Sequence, residues 1–405
     1  MLQHGETSRW HQYGLTSVLQ PIVHLKDHEI IGVEALVRAT DPHGTACAPA
    51  RLFNEAASAG EVLQLDRLCR EEAFRAYSSP ALNSQRPDIL FVNINSSLLD
   101  DPARSEDYLL SQVRTWNLKP EQIAIEVVEN SVQTPTTLFQ FVERYRRHGF
   151  LIALDDFGAS HSNLERLVDL KPDVVKIDRN LVSGVHDSHY KRSVVEAING
   201  LCHSLGATSL AEGVETQEEL ECLTSLGCDL FQGFLLSAPL PNLPERLAEI
   251  RARIHAQATQ AGNIVAESAK RMHESAKKIL DTGRDVARRL EEHELADDSL
   301  LKLIEDLPGI QCAYLIDLEG IQITETVFNP AADIRHRSLF KPASRGADHS
   351  LKDYVYHIRS LDAPRFLSGV YLSRATGTLC RTVSVRTCTR TKTPVILCLD
   401  IVQQQ

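Results

Sequence analysis

The chain has 405 residues, 43% of them hydrophobic and 24% charged, enough for two or three domains with packed cores. Acidic residues outnumber basic ones by 54 to 43, for a net charge of −11, which argues against broad electrostatic binding to a nucleic-acid polymer. No apolar run approaches the ~20 residues of a membrane span, and Gln3, His4, Glu6, Arg9 and His11 interrupt the N-terminus where an export signal needs an apolar core, so a cytoplasmic location is expected.

In chain order, β-branched runs at 30–36, 89–94, 123–128, 151–154, 174–177 and 208–210 alternate with amphipathic stretches at 52–76, 104–116, 136–148, 190–205 and 217–226. Such alternation predicts repeated βα units on a parallel sheet. No Gly-x-Gly-x-x-Gly turn follows any strand, so a (β/α)8 barrel fits better than two Rossmann units, with a doubly wound open sheet as the alternative. Between Pro244 and Pro308 no proline occurs, and Leu247, Ile250, Ile254, Ala258, Ala261 and Val265 recur at helical steps. One long helix or two are expected, broken if anywhere at Gly262 or Gly283, lying along its own barrel or forming a dimer seam. From Gly309 the pattern turns to period-2 strands at 311–318, 320–326, 369–372, 379–388 and 394–402, with a tight turn at Asp317-Leu318-Glu319-Gly320, which predicts a smaller α+β domain with an antiparallel sheet. The nine cysteines form no Cys-x-x-Cys pair and are read as reduced thiols rather than a zinc or disulfide framework.

Carboxylates fall where these runs end. Glu34 closes Ile-Ile-Gly-Val-Glu, Glu126 closes Ile-Ala-Ile-Glu, Asp155 and Asp156 close Leu-Ile-Ala-Leu-Asp-Asp, Glu212 closes Ser-Leu-Ala-Glu, and Asn93 ends Phe-Val-Asn. In a parallel barrel the C-terminal strand ends converge on one mouth. Like charges ~4 Å apart repel by roughly 4 kcal/mol at an effective dielectric of 20, so such a ring calls for protons or cations. With oxygen donors alone, hard ions such as Mg²⁺, Mn²⁺ or Ca²⁺ are favoured over zinc. Adjacent Asp155 and Asp156 both reach the mouth only if the strand ends there. Lys176, in Val-Val-Lys-Ile-Asp, reads either as half of a buried ion pair with Asp178 or as a cation orienting a water or phosphate oxygen.

These residues carry a resemblance. Leu-Gln-Pro-Ile at 19–22, Glu-Ala-Leu-Val-Arg at 34–38, Val-Asn-Ile-Asn at 92–95, Glu-Val-Val-Glu at 126–129, Asp-Asp-Phe-Gly at 155–158, Lys-Ile-Asp at 176–178, Ala-Glu-Gly-Val-Glu-Thr at 211–216 and Gln-Gly-Phe at 232–234 stand in the order and spacing of the EAL-domain family. Over about 18–241 the chain resembles that family, which implies a modified TIM barrel that hydrolyses cyclic di-GMP to linear pGpG with two Mg²⁺ or Mn²⁺ ions. By that similarity Glu34, Asn93, Glu126 and Asp155 hold one metal, Asp155 is shared, and Asp156 holds the second. Lys176 positions the water and Glu212 takes its proton. Gln20, Leu36, Arg38, Asp178 and Gln232 contact the substrate, while Glu129 and Glu215 brace the loop and metal shell.

The resemblance has one departure. Ser160 and His161 follow Asp-Phe-Gly-Ala where the family usually reads Gly and then Tyr or Phe, in a loop that in relatives couples dimerisation to metal binding, which implies reduced or conditional turnover. The C-terminal region resembles PAS/Cache-like sensor folds more loosely, through Ala-Tyr-Leu-Ile-Asp-Leu-Glu-Gly at 313–320 and Tyr-Leu-Ser-Arg-Ala-Thr-Gly at 371–377. Arg374, Arg381, Arg386, Arg390 and Lys392 read either as an anion site or as edge charges against aggregation. The expected organisation is a phosphodiesterase barrel at 1–243, a helical linker at 244–300 and a sensor domain at 301–405 with an unknown small ligand, in a homodimer. The competing readings are a nucleotide receptor that signals without hydrolysis and a scaffold that recruits a protein partner.

Overall fold

The computed structural model describes residues 9–82, 85–95, 108–128, 135–159, 164–294, 296–332, 334 and 341–402. Two compact units are present, Met1–Ala266 and Glu267–Gln405.

The first unit runs β1 (Gly14–His24), β2 (Glu29–Thr40), β3 (Ala46–Cys47), α1 (Pro49–Ala59), α2 (Val62–Tyr77), β4 (Ile89–Asn93), α3 (Tyr108–Thr115), β5 (Ile123–Val128), α4 (Pro135–Arg147), β6 (Leu151–Phe157), α5 (Leu164–Leu170), β7 (Val174–Ile177), α6 (Arg179–Val182), α7 (His189–Leu205), β8 (Thr208–Ala211), α8 (Gln217–Ser225), β9 (Leu230–Phe231) and the start of α9 (Leu243–Leu290). The sheet order β1-β9-β8-β7-β6-β5-β4-β2-β3 is closed by pairing of β1 with β2. Eight strands therefore form a barrel, and β3 is an appendage. From β2 and β4 round to β9 the barrel pairs are parallel, whereas β1 runs antiparallel to both β2 and β9. The expected barrel is thus present with one strand reversed, and the open sheet is excluded.

Local chemistry sets the helix boundaries. The single helix expected at 52–76 is two, because Gly60 at φ 70° takes a left-handed cap whose N–H meets the Ala56 and Ala57 carbonyls. Ser188 caps the start of α7 through the Lys191 N–H, Gly206 ends it, and Thr216 with Glu219 forms a capping box on α8. Gly262 and Gly283 do not break α9. Leu247, Ile250, Ile254, Ala258 and Ala261 join the apolar layer outside the barrel, so this stretch of α9 lies along its own barrel.

In the second unit, the end of α9 is followed by α10 (Asp297–Ile304), β10 (Ile310–Ile316), β11 (Val327–Phe328), α11 (Asp353–Ser360), β12 (Arg365–Leu367), β13 (Tyr371–Leu372), β14 (Leu379–Cys388) and β15 (Pro394–Val402). All pairings are antiparallel, in the order β11-β10-β15-β14-β12, with β13 also on β14. Val286, Ala287 and Leu290 of α9 pack with Leu300, Leu303, Val383 and Leu397. A Cβ on Gly283 would come within 2.9 Å of Val383 Cγ2, so the glycine permits close packing of helix on sheet. The turn at Asp317–Gly320 forms, with Gly320 at φ 98°. The strand expected at 320–326 shrinks to a single antiparallel bridge on β10, between Ile316 and Gln322, closed by Asp317 N–H to Ile321 O and Ile323 N–H to Leu315 O. Beyond that bridge side chains take over: Thr324 Oγ1 accepts the Leu315 N–H, and the Gln322 amide donates to Thr324 O and Thr326 Oγ1.

Candidate active site

Side chains alternate along a strand, so every second residue faces the barrel interior. Ile22, Phe91, Ala124, Ala153, Val174, Leu210 and Leu230 form one apolar layer there. Two residues towards the mouth on the same strands stand Gln20, Asn93, Glu126, Asp155, Lys176, Glu212 and Gln232. On β2, Gly32 occupies the apolar layer and Glu34 the polar one. A Cβ at Gly32 would sit 2.9 Å from the Phe91 ring, so the glycine makes room for that ring. One change of chemistry, two residues on from the apolar layer, thus builds a polar ring at the C-terminal mouth.

Lys176, 1% exposed, stands at the centre of this ring. Its Nζ lies 2.5 Å from Glu126, 2.8 Å from Glu212, 3.2 Å from Asp155 and 3.6 Å from Glu34. The Asn93 amide donates to Glu126 at 2.7 Å and to Glu34 at 3.3 Å. Gln232 donates to Glu34 at 2.7 Å and to Gln20 at 3.2 Å, and Gln20 donates to Ser237 O. Asp178 does not pair with Lys176 as the simple ion-pair reading requires. It caps α6, accepting the Asn180 N–H at 2.9 Å and its side-chain amide at 2.7 Å. Burial opposes the charge on Lys176, but Glu126, Glu212, Glu34 and Asp155 outweigh it and hold the ammonium well above the ordinary lysine range.

Asp155 and Asp156 both serve the mouth by a route not anticipated. β6 continues to Phe157, but its pairing with β7 shifts between Leu154 and Phe157, and Asp156 adopts φ 56°. That left-handed residue interrupts the alternation, at a cost of roughly 1–2 kcal/mol for a non-glycine. One carboxylate oxygen from each of Asp155, Asp156 and Glu212 then lies within 4.8 Å of the others. Burial, with Asp155 and Asp178 nearby, raises the Asp156 carboxyl above its usual range.

A cleft of about 310 Å³ opens over the ring, its lining including Gln20, Glu34, Leu36, Asp155, Lys176, Arg179, Glu212, Glu215, Gln232 and Phe234. Arg38 and Asn93 open instead onto a neighbouring cavity of about 400 Å³ that also touches Leu36. The exposed Arg38 guanidinium bonds the Val37 carbonyl. Two lining residues escaped the sequence reading. Arg179 pairs with Glu215 at 2.8 Å, and Phe234 is 61% exposed at the rim. Their signals were position alone: Arg179 directly follows Lys-Ile-Asp, and Phe234 ends Gln-Gly-Phe. Glu219 fixes the turn beneath them by accepting the Glu215, Thr216 and Gly184 N–H groups. Glu129, Ser160 and His161 lie outside the described residues.

Backbone packing also holds the ring in register. A Cβ on Gly233 would fall 2.1 Å from Val214 O and 2.3 Å from Val214 N. Gly233→Ala should therefore cost on the order of 1–3 kcal/mol and shift Gln232 and the turn after Glu212, a change read as a lower urea midpoint.

The donor set fits hard divalent cations. Five carboxylates, from Glu34, Glu126, Asp155, Asp156 and Glu212, face a single ammonium within the ring, with amide oxygens beside them and no imidazole or thiolate. Gln232 Oε1 is buried without a hydrogen-bond partner, an acceptor still to be satisfied. Burial, reinforced by Glu34 and Asp155 against the pull of Lys176, raises Glu126 well above the usual carboxyl range. Burial likewise pushes Glu212 up to about 8, with Lys176 opposing and Asp155 and Glu34 adding to it. In EDTA the folded chain therefore holds protons that the unfolded chain releases near its ordinary carboxyl value of 4.5. Its urea midpoint should fall as pH rises from about 4.5 towards 8. Saturating divalent ion should remove most of that decline, because ligation displaces the proton of Glu126 and the added positive charge favours ionised Glu212.

A closed α/β barrel whose mouth is ringed by oxygen donors is a barrel of the metal-ligating class. The chain belongs to the EAL-domain family, matching the EAL domain over residues 7–239. Cyclic di-GMP phosphodiesterase RocR of Pseudomonas aeruginosa is 28% identical over 229 residues, which is 55% of this chain and 56% of that protein. A manganese and cyclic di-GMP complex of Klebsiella pneumoniae BlrP1 superposes with a TM-score of 0.51 at 31% identity, covering 59% of this chain and 58% of that one. The Bacillus subtilis YkuI protein, solved with cyclic di-GMP and calcium, shares the fold over 96% of this chain and 97% of its own, with a TM-score of 0.76 at 23% identity. The chain spans 28% to 56% of the length of the first curated relatives it matches. No helix among the described residues is long and apolar enough to cross a membrane.

Proposed function

We propose that this protein hydrolyses cyclic di-GMP to linear pGpG at the barrel mouth, using two divalent ions, Mg²⁺ or Mn²⁺. The observation that carries the reading is the single interior layer in which Glu34, Asn93, Glu126, Asp155 and Glu212 surround Lys176, with Asp156 turned to the same mouth. Membership of a family that includes named cyclic di-GMP phosphodiesterases supports it. Glu34, Asn93, Glu126 and Asp155 would hold one ion, and Asp155 with Asp156 the other. When bound, such ions polarise phosphoryl oxygens and acidify water.

The residues of the chain do the rest. Lys176 orients the attacking water, and Glu212 accepts its proton at a carboxylate oxygen. Water oxygen bonds to phosphorus, the bond from phosphorus to the 3′ oxygen breaks, and that oxygen takes a proton from solvent water and leaves as a hydroxyl, while Glu212 returns its proton to solvent. Gln20, Leu36 and Gln232 line the cleft that takes the nucleotide, Asp178, near Asp156 and directly before the cleft-lining Arg179, would meet it at the edge, and Arg38 offers its charge to a phosphate from the neighbouring cavity. Glu215 braces the cleft through Arg179. We take residues 1–243 as the catalytic barrel, 244–300 as a helical linker and 301–405 as a PAS/Cache-like sensor that regulates turnover in a cytoplasmic homodimer.

The test is incubation of the purified chain with cyclic di-GMP and Mg²⁺ or Mn²⁺, followed by chromatography. The expected result is pGpG that disappears with EDTA. Bound but uncleaved nucleotide with either ion would reject hydrolysis.

A further inference from the structure

A cavity of about 330 Å³ lies wholly within the second unit. Its floor is polar and its rim is cationic. On the floor stand Tyr314, His349, Tyr354, Tyr371, Ser373 and Asp400, and at the rim stand Lys341, Lys352 and Arg374. One wall is the segment 341–349, pinned to Gln322 from both sides: Gln322 N–H donates to Ala347 O at 2.9 Å, and Gly346 N–H donates to Gln322 O at 2.7 Å.

The floor has a defined order of protons. The Gln322 amide nitrogen donates to Thr324 O, Thr326 Oγ1 and Ala343 O, leaving Oε1 as an acceptor. His349 Nε2 therefore donates to that oxygen at 2.9 Å, and burial lowers the imidazole's pKa, favouring the neutral ring. Its Nδ1 then accepts from Tyr354 OH at 3.0 Å, and Tyr314 OH donates to Tyr354 at 2.9 Å. These protons are committed, so Tyr314 and Tyr354 present acceptor oxygen and ring surface.

Asp400 is the group without a counter-charge. It is 3% exposed and accepts from Thr382 at 2.8 Å and Ser373 at 3.1 Å, with Tyr371 at a long 3.4 Å. No cation pairs with it among the described residues. Burial outweighs the hydroxyl bonds and raises its carboxyl above the usual range. The Cys312 and Cys380 thiols add weak donors, so every partner of Asp400 is neutral and a charged or strong donor reaching it from the cavity would exchange with the weakest of them. The rim shows the converse, since Lys341, Lys352 and Arg374 have no acidic partner among the described residues. Asp348, the other acid of the lining, bonds the Ser350 N–H.

We infer that this cavity binds a small carboxylic acid bearing an ammonium or hydroxyl donor, its carboxylate held by Arg374, Lys352 and Lys341 and its donor end directed at Asp400. Opposite polarity at the two ends sets orientation, and the volume suits a short ligand near the lower limit of about 300 Å³ for organic ligand sites. Of the five C-terminal basic residues singled out in the sequence, Arg374 is the one that lines the cavity. Arg381 bonds Ser368 O, and Arg386 and Arg390 pair with Asp362 and Glu294.

Isothermal titration calorimetry of the full chain tests this without reference to turnover. The probes are L-alanine, L-serine, L-lactate and L-malate, with acetate and propionate as acids lacking the second donor. At least one donor-bearing acid should bind saturably and more tightly than propionate. Arg374→Gln and Lys352→Gln, both at exposed positions, should weaken it about tenfold or more, while Asp400→Asn should abolish the preference over propionate. Circular dichroism melts confirm that each variant is folded. Absence of saturable heat with all four acids would overturn the inference, as would equal affinity for propionate or binding unchanged in both rim variants.

Discussion

Glu212→Gln should lower kcat for cyclic di-GMP hydrolysis about 10²–10⁴-fold, the range that a positioned general base contributes. The substitution keeps the side chain's length and removes its ability to take a proton. Glu212 touches Lys176 at 2.8 Å and shares the carboxylate cluster with Asp155 and Asp156, so the neutral amide should leave nucleotide binding within a few-fold. Steady-state kinetics beside equilibrium binding of the uncleaved nucleotide separate the two effects. A variant that binds normally and turns over normally would remove Glu212 from the proposed chemistry.

Lys176→Met should have the second large effect, on both stability and rate. Lys176 is the cation at the centre of Glu34, Glu126, Asp155 and Glu212, and removing one member of a buried ion cluster costs about 3–5 kcal/mol. Methionine fills much of the volume, so the loss should reflect uncompensated charge rather than a cavity. Urea unfolding in EDTA at pH 7 should show the deficit, and added Mn²⁺ should recover part of it by supplying positive charge. Turnover should fall by at least about 10²-fold even at saturating Mn²⁺, because a sulfur cannot orient the water. Wild-type stability in EDTA would mean that the ring tolerates its own charge by protonation alone.

The acids were legible because the period of a strand is two and the barrel interior is apolar one layer below. In Ile-Ala-Ile-Glu, Ala124 and Glu126 share a face, and the same holds for Ala153 with Asp155 and Leu210 with Glu212. What local pattern does not encode was missed. The reversed direction of β1 depends on its partners, with Gln20 opposite Glu34, and nothing within Leu-Gln-Pro-Ile states it. The bulge that turns Asp156 inward shows only in its φ of 56°. The helix break at Gly60 was a readable left-handed cap, outweighed by the apolar periodicity on either side. At 320–326 the alternation was present, but the ladder stops after the Ile316–Gln322 bridge, where buried Gln322 and Thr324 side chains satisfy the next backbone groups. Arg179 and Phe234 declare themselves only once the turns after β7 and β9 meet over one cleft.

Anomalous diffraction from crystals grown with Mn²⁺ and cyclic di-GMP tests the central claim most directly. The account predicts two manganese peaks roughly 3.5–4 Å apart beside Asp155, one bounded by Glu34, Asn93 and Glu126 and the other by Asp156, with a substrate phosphate across both. Nucleotide seated at the barrel mouth with no manganese at those carboxylates would contradict it.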